Sequence, residues 1–193
     1  MTSDNANVKK GKILVISAPS GAGKTTLTKE IIAGFPDIIF STSATTRTQR
    51  ANERNGKDYF FISEEEFARK IESDEFAEWE RFYDHYYGTY RKQLEETING
   101  GKHILLEIDV KGALKIKTNY PESILIFIDP PSIDALITRL RNRKTESEEE
   151  FRKRIERAKM ELSLKDKFDY LVVNDNLDLA LKELKVIISK VTK

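Results

Sequence analysis

A chain of 193 residues is long enough for one substantial domain with its own core, with room for an inserted subdomain. Its 39% hydrophobic and 34% charged residues describe a globular protein, and no apolar run approaches the ~18 residues that would span a bilayer. No cysteine is present, which excludes disulfides and thiolate metal sites, and a net charge of +1 gives no global field to attract nucleic acid. These bounds lead to the expectation of a cytoplasmic protein with no membrane and no nucleic-acid partner. Residues 1–10 are polar, lack the apolar stretch of a secretory signal and are expected to form a short disordered tail.

Lys12 to Ser17 predicts a short buried strand, with four apolar residues in a row and three of them β-branched. A helix is expected from about Gly23 to Ala33, with Leu27, Ile31 and Ile32 at helical spacing, ended by Gly34 and Pro36. Ile38-Ile39-Phe40 starts another extended run. Ser43 to Gly56 is polar and predicts a loop, and Asp58 to Ile62 a strand. Ser63 followed by Glu66 is a capping box that opens a helix through about Ser73; Glu64, Glu65 and Glu66 favour its first turn and need no other role.

Phe76 to Gly88 is rich in aromatics and predicts strands of a small subdomain, and a helix follows from about Tyr90 to Ile98. Ile104 to Asp109 predicts an apolar strand ending in two carboxylates. After it come a helix near Val110–Thr118 and a buried strand at Ile124–Ile128. A helix introduced by Pro130-Pro131-Ser132 runs to about Arg143, and a charged helix spans roughly Ser147–Leu164. A strand at Tyr170–Val173 and a last helix from Leu177 complete the series. Alternating apolar strands and helices predict an α/β fold with a parallel sheet covered on both faces. Residues 43–90 are too polar and hairpin-like for that core, so they are expected as an insertion at the carboxyl edge of the sheet.

Charge is segregated along the chain. Residues 43–90 hold 7 Lys/Arg against 11 Asp/Glu, whereas residues 139–167 hold 11 against 7. Two surfaces with different tasks follow from that split.

The stretch Ala18-Pro19-Ser20-Gly21-Ala22-Gly23-Lys24-Thr25 lies between the first strand and the first helix. A glycine-rich turn there presents backbone N–H groups and the positive end of the helix dipole to a phosphate. Lys24 adds a full charge, and Thr25 offers a hydroxyl to magnesium. Ala18 stands where such loops usually have glycine. Glu107 and Asp109, two apart on the expected strand, would share a face, and one could hold magnesium through its water shell. Arg47 and Arg50 lie in a polar loop among Thr45, Thr46 and Thr48, where guanidinium forks and hydroxyls suit a phosphate. Arg139 and Arg143 are four apart near the end of one helix, and Arg154 lies on the next. Two anion sites flanking one phosphate loop point to transfer between two phosphorylated molecules rather than hydrolysis. A GTPase reading is disfavoured, because no Asn-Lys-x-Asp guanine motif is present and Val173-Asn174-Asp175-Asn176 lacks its lysine.

From Ile13 to about Lys190 the sequence resembles guanylate kinase. The matching stretches are Ala18–Thr25, Thr45-Thr46-Arg47 through Arg50, Asn55 through Tyr59, Phe76 through Trp79, Tyr86-Tyr87-Gly88, Leu106–Asp109 and Arg139 through Arg154. The resemblance implies a P-loop NTPase fold with a core of residues 11–42, 91–138 and 168–193, a GMP-binding subdomain at 43–90 and a helical lid at 139–167. It implies magnesium-dependent transfer of the ATP γ-phosphoryl to GMP or dGMP. The residues implied for ATP are Ala18, Pro19, Ser20, Gly21, Ala22, Gly23, Lys24, Thr25 and Thr26, with Asn174 near the adenine. Ser43, Arg47, Arg50, Tyr59 and Tyr87 match positions around the GMP phosphate and base, and Glu78 and Thr89 match guanine contacts. Glu107 and Asp109 join that set, with Thr25 and, through water, Asp109 expected at the metal. Lys24, Arg139, Arg143 and Arg154 match groups that stabilise the transferring phosphoryl. Lys144 stands where a glycine is usual after the lid arginine.

Guanine offers N1–H and N2–H donors that a carboxylate such as Glu78 accepts, whereas adenine would leave that carboxylate unpaired. The attacking phosphate oxygen is ionised near neutral pH, so no general base is needed, and His85 and His103 are expected in structural or solvent roles. Protein-binding modules related to this family tend to degrade the phosphate loop and lid arginines, which this chain keeps. A kinase for another small phosphorylated substrate on the same scaffold is disfavoured by the guanine-contact residues.

Overall fold

The computed structural model describes residues 9–82, 84–141 and 148–193. The first elements in chain order are β1 (Ile13–Ser17), α1 (Lys24–Gly34), β2 (Ile39–Phe40), β3 (Ala44–Thr45), β4 (Phe60–Phe61), α2 (Glu64–Glu72), β5 (Phe76–Phe82), β6 (His85–Tyr90) and α3 (Arg91–Asn99). They are followed by β7 (Ile104–Glu107), α4 (Val110–Asn119), β8 (Ile124–Asp129), α5 (Ile133–Arg141), α6 (Glu148–Leu162), a 3-10 turn at Lys165–Lys167, β9 (Tyr170–Val173) and α7 (Leu177–Val191). Two sheets form, of strand order β2-β7-β1-β8-β9 and β4-β3-β6-β5. The chain divides into two compact units, Leu14–Pro36 with Leu106–Lys193 and Met1–Ile13 with Asp37–Leu105.

In the unit made of Leu14–Pro36 and Leu106–Lys193, β1 and β8 are the buried centre. They pair in parallel from Leu14 with Ile124 to Ser17 with Phe127, and β8 pairs in parallel with β9. Leu14, Val15, Ile16, Leu125, Ile126 and Phe127 are all fully inaccessible, which is why both strands read as unbroken apolar runs. Leu27 and Ile31 of α1, Ile116 of α4, Leu136 of α5 and Leu184 and Ile188 of α7 are buried as well. At about 25 cal/mol per Å² of apolar surface removed from water, such burial is the main stabilising term.

The other unit holds the four-stranded sheet. β5 and β6 are antiparallel with a bulge between Phe76 and Glu78, β6 pairs with β3, and β4 joins β3 in parallel. Its small core stacks Phe67 on Phe76 with centroids 4.4 Å apart, beside Ala44 and Tyr86. Gly88 is required there: a Cβ would lie 2.9 Å from Phe76 Cδ1 and 3.0 Å from Phe67 Cζ. The Ser63 half of the expected capping box is formed, with Ser63 Oγ accepting from Glu66 N at 3.1 Å.

Three local expectations change. Ala44–Thr45 is a strand inside the expected loop, because Gly88 and Tyr87, distant in sequence, supply its partners. The strand expected over 58–62 shortens to Phe60–Phe61, since Asp58 Oδ2 accepts from Arg54 N and Gly56 N donates to Tyr59 O in a turn. The strand expected to Asp109 stops at Glu107, and Asp109 caps α4 by accepting from Lys111 N and Gly112 N. Glu107 and Asp109 therefore do not share a strand face. The helix expected to Arg143 is described to Arg141, and Arg143 and Lys144 lie outside the described residues, as does most of the expected tail. Among the described residues no helix is long and apolar enough to cross a membrane.

Candidate functional site

The loop between β1 and α1 is shaped by two glycines. Gly21 and Gly23 have φ of 91° and 90°, the left-handed region that side chains rarely adopt. A Cβ on Gly21 would press on Leu136 and Leu140, and one on Gly23 would strike Asn174 Nδ2. Ala22 N donates to Pro19 O at 3.1 Å, closing the turn. Ala18 is buried, so the alanine in place of a usual glycine is accommodated.

Gly23 is the N-cap of α1, which has no side-chain cap and no acidic residue in its first turn. Its opening N–H groups and dipole are thus left for an external anion. Lys24 Nζ lies 3.3 Å from Glu107 Oε1, and the Thr25 hydroxyl donates to the same oxygen at 2.5 Å. One carboxylate at the end of β7 therefore holds both the cation and the hydroxyl of the loop. Pro19 and Ala22 are buried, Ser20 is half-buried, and Thr25 and Thr26 are exposed at the helix start.

Asn174 sits beneath this loop. Its Nδ2 donates to Ala22 O at 2.7 Å, and its carbonyl accepts from Arg139 Nη2 at 3.0 Å. The position expected near an adenine is thus also a strut between the loop and an arginine of α5. Arg154 of α6 is half-buried. One turn on, Arg157 Nε donates to Glu161 Oε1 at 2.7 Å, and Arg157 Nη2 lies 3.8 Å from Asp109 Oδ1. Burial pushes the Glu161 carboxyl above the usual carboxylate range, and Arg157 opposes that rise. Sequence reasoning missed Arg157 and Glu161, although their i,i+4 spacing on a charged helix was the available signal.

In the other unit, a second set of candidates comes together. Glu78 and Thr89 are directly paired across β5 and β6, and the Thr89 hydroxyl donates to Glu78 Oε1 at 2.7 Å. Both are buried, at 6% and 0% exposure. Tyr59 and Tyr87 meet edge to face with centroids 6.0 Å apart, and the Arg47 guanidinium lies 5.6 Å from the Tyr59 ring centroid. Ser43 is buried and its carbonyl accepts from Phe60 N, while the Arg50 side chain is exposed.

Glu53 was not anticipated, because a residue six positions from Arg47 in a loop follows no periodic pattern. Arg47 Nη1 and Nη2 donate to its two carboxylate oxygens at 3.0 and 2.8 Å. Burial lowers the Arg47 pKa while Glu53 and Tyr87 raise it, and the balance is upward. The same bond holds the Glu53 carboxyl below the ordinary 4.5, against a smaller effect of burial. His103 is structural, its Nδ1 accepting from Lys12 N at 3.0 Å.

A phosphate loop with its lysine and threonine, and a buried Glu–Thr pair beside an arginine–tyrosine cluster, are the features that known proteins can be compared on. The family model described as guanylate kinase matches residues 10–191. Guanylate kinase of Caldanaerobacter subterraneus is 49% identical over 180 residues, covering 93% of this chain and 87% of that protein. Guanylate kinase of Thermotoga maritima is 46% identical over 188 residues, covering 95% of this chain and 91% of that protein. A crystal structure of guanylate kinase from Anaplasma phagocytophilum matches with a TM-score of 0.79 at 31% identity, covering 95% of this chain and 87% of that chain. On these matches, over nearly its whole length, the chain belongs to the guanylate kinase family of nucleoside monophosphate kinases.

Proposed function

We propose that this chain transfers the γ-phosphoryl group of ATP to GMP, and to dGMP, giving ADP and the guanosine diphosphate. The observation that carries the choice of acceptor is the buried Glu78, held by Thr89 in the acidic 43–90 segment. Its carboxylate can accept from guanine N1–H and N2–H, whereas an adenine would leave it desolvated and unpaired. The Thr89 hydrogen already goes to Glu78, so its hydroxyl offers a base lone pairs rather than a proton. Arg47, Arg50, Tyr59, Tyr87 and Ser43 take the acceptor phosphate and its base, and Ala18 through Thr26 with Asn174 take the donor.

The loop's oxygen donors suit magnesium. Thr25 and Glu107 are hard ligands in contact, and among the described residues no cluster of three or more His, Asp or Glu could hold a metal alone. An ion that keeps its waters and binds through substrate phosphates needs no such cluster. Thr25, with Glu107 and Asp109 acting through water, would hold it, and its charge would neutralise the phosphates. Lys24, Arg139, Arg143 and Arg154 stabilise the transferring phosphoryl, the segment 139–167 serving as a lid. Because the acceptor phosphate is itself the ionised nucleophile, in-line transfer needs no general base. Phosphorus NMR of the chain with ATP, GMP and magnesium tests the reading: resonances of ADP and GDP should grow together. ATP loss yielding inorganic phosphate, with GMP unchanged, would contradict it.

A further inference from the structure

We infer that Glu53 is a positioning residue for the acceptor phosphate: it occupies the end-on edge of the Arg47 guanidinium and reserves the side-on edge for the phosphate. This rests on the reading above that Arg47 binds that phosphate. A guanidinium has five N–H donors in a rigid plane, and it can grip an anion through Nη1 and Nη2 together or through Nε and Nη2 together. Thr48 and Glu53 engage three of these donors. Nη1 donates to Thr48 O at 2.8 Å and to Glu53 Oε2 at 3.0 Å, and Nη2 donates to Glu53 Oε1 at 2.8 Å. The end-on edge is therefore filled. Neither Glu53 nor Thr48 takes Nε or the second hydrogen of Nη2, which together form the side-on fork; the further partner of this guanidinium is the Tyr87 hydroxyl, itself assigned above to the acceptor phosphate.

Glu53 is itself fixed. Arg50 N donates to its Oε2 at 2.9 Å, its own N–H donates to Arg50 O at 3.0 Å, and Gln49 Nε2 donates to its carbonyl at 2.6 Å. The aromatic rings of Tyr59 and Phe61 flank the guanidinium at 5.6 and 5.7 Å, and the Tyr87 hydroxyl lies beside it. The plane of Arg47 is thus set before substrate arrives, and ordering a long, flexible side chain in advance lowers the entropy lost on binding. A carboxylate in this place has a second consequence. It offsets the charge of Arg47 when no substrate is present, yet it does not occupy the side-on edge.

The test compares GMP with guanosine, which lacks the phosphate, by titration into the parent chain, Glu53→Gln and Arg47→Gln. Loss of a charge-assisted, orienting contact should cut the GMP-to-guanosine affinity ratio of Glu53→Gln by about 10-fold or more. KM for GMP should rise by a similar factor, with guanosine affinity and KM for ATP unchanged and kcat at saturating GMP changed far less. A merely structural defect would lower guanosine affinity and kcat as well. An unchanged ratio, or tighter GMP binding because Glu53 competes with the phosphate, overturns the inference. If Arg47→Gln also leaves the ratio unchanged, the reading of the acceptor site fails. If Arg47→Gln loses the ratio and Glu53→Gln does not, only the positioning role fails. Thermal unfolding confirms that each variant is folded. Should the glutamine variant not fold, Glu53→Asp, which keeps the charge but withdraws it, carries the same expectation and the same contradiction.

Discussion

Glu78 and Thr89 face each other across an antiparallel pair, joined by a 2.7 Å hydrogen bond inside a unit where both are buried. A carboxylate is rarely kept so far from water without a partner, and the Thr89 hydroxyl is one such partner. Guanine N1–H and N2–H are donors of the kind a carboxylate accepts. Glu78→Gln keeps the shape but places an N–H group where the base presents its own. GMP affinity should fall by about 10- to 100-fold, the range expected for hydrogen bonds to a charged group, while ATP affinity stays near that of the parent. Equal losses for the two nucleotides in a binding titration would make Glu78 a structural residue.

Lys24 is the full charge in a loop that otherwise offers backbone dipoles. It rests on Glu107 at 3.3 Å, within a salt bridge whose side chains are about one-fifth exposed or less, at 21% and 15%. Lys24→Ala should lower kcat by about 10²-fold or more, as expected when a preorganised group facing developing charge is removed. Near-normal turnover at saturating substrates would remove Lys24 from the chemistry.

Gly88 lies under two aromatic rings with no room for a methyl group. Its substitution is an overpacking test of the small unit, separate from chemistry. Gly88→Ala should cost about 1–3 kcal/mol in urea unfolding. It should also disturb the neighbouring Thr89 and Tyr87, so KM for GMP rises with the loss of stability. A variant as stable as the parent would show that Phe67 and Phe76 can yield.

The Arg47–Glu53 pair adds a pH dependence. The Glu53 carboxyl ionises below its ordinary 4.5 because Arg47 donates to it, so the pair stabilises the folded chain above that value. The contribution is lost as pH falls through the lower folded value. Parent and Glu53→Gln should therefore differ in urea midpoint near neutral pH, and the gap should close in acid well below 4.5. A gap of the same size at both pH values would assign the stability to packing instead.

What was legible in the sequence follows the range of the interactions. The β1–loop–α1 unit is local: an apolar run, two glycines and a helical repeat lie within about two dozen residues, and the structure forms each where the pattern puts it. The Ser63 cap was readable for the same reason. Asp109 was misplaced because a carboxylate after a strand reads alike whether the strand continues or a helix begins, and only its bonds to Lys111 and Gly112 decide. Ala44–Thr45 became a strand through Gly88 and Tyr87, more than 40 residues away. Glu53 follows from loop geometry with no periodic trace. The Glu78–Thr89 register depends on a bulge at Phe76 that no alternation pattern announces.

If the buried Glu78 reads the guanine edge, as proposed, phosphoryl transfer is confined to guanine nucleotides. The most direct test is kcat/KM from ADP release with ATP and, in turn, GMP, dGMP, AMP, CMP and UMP. Activity is expected with GMP and dGMP, and GMP should be preferred over AMP by roughly 10⁴-fold, the discrimination available to a site built on polar pairing. AMP, CMP or UMP turned over with comparable kcat/KM would contradict that reading of Glu78.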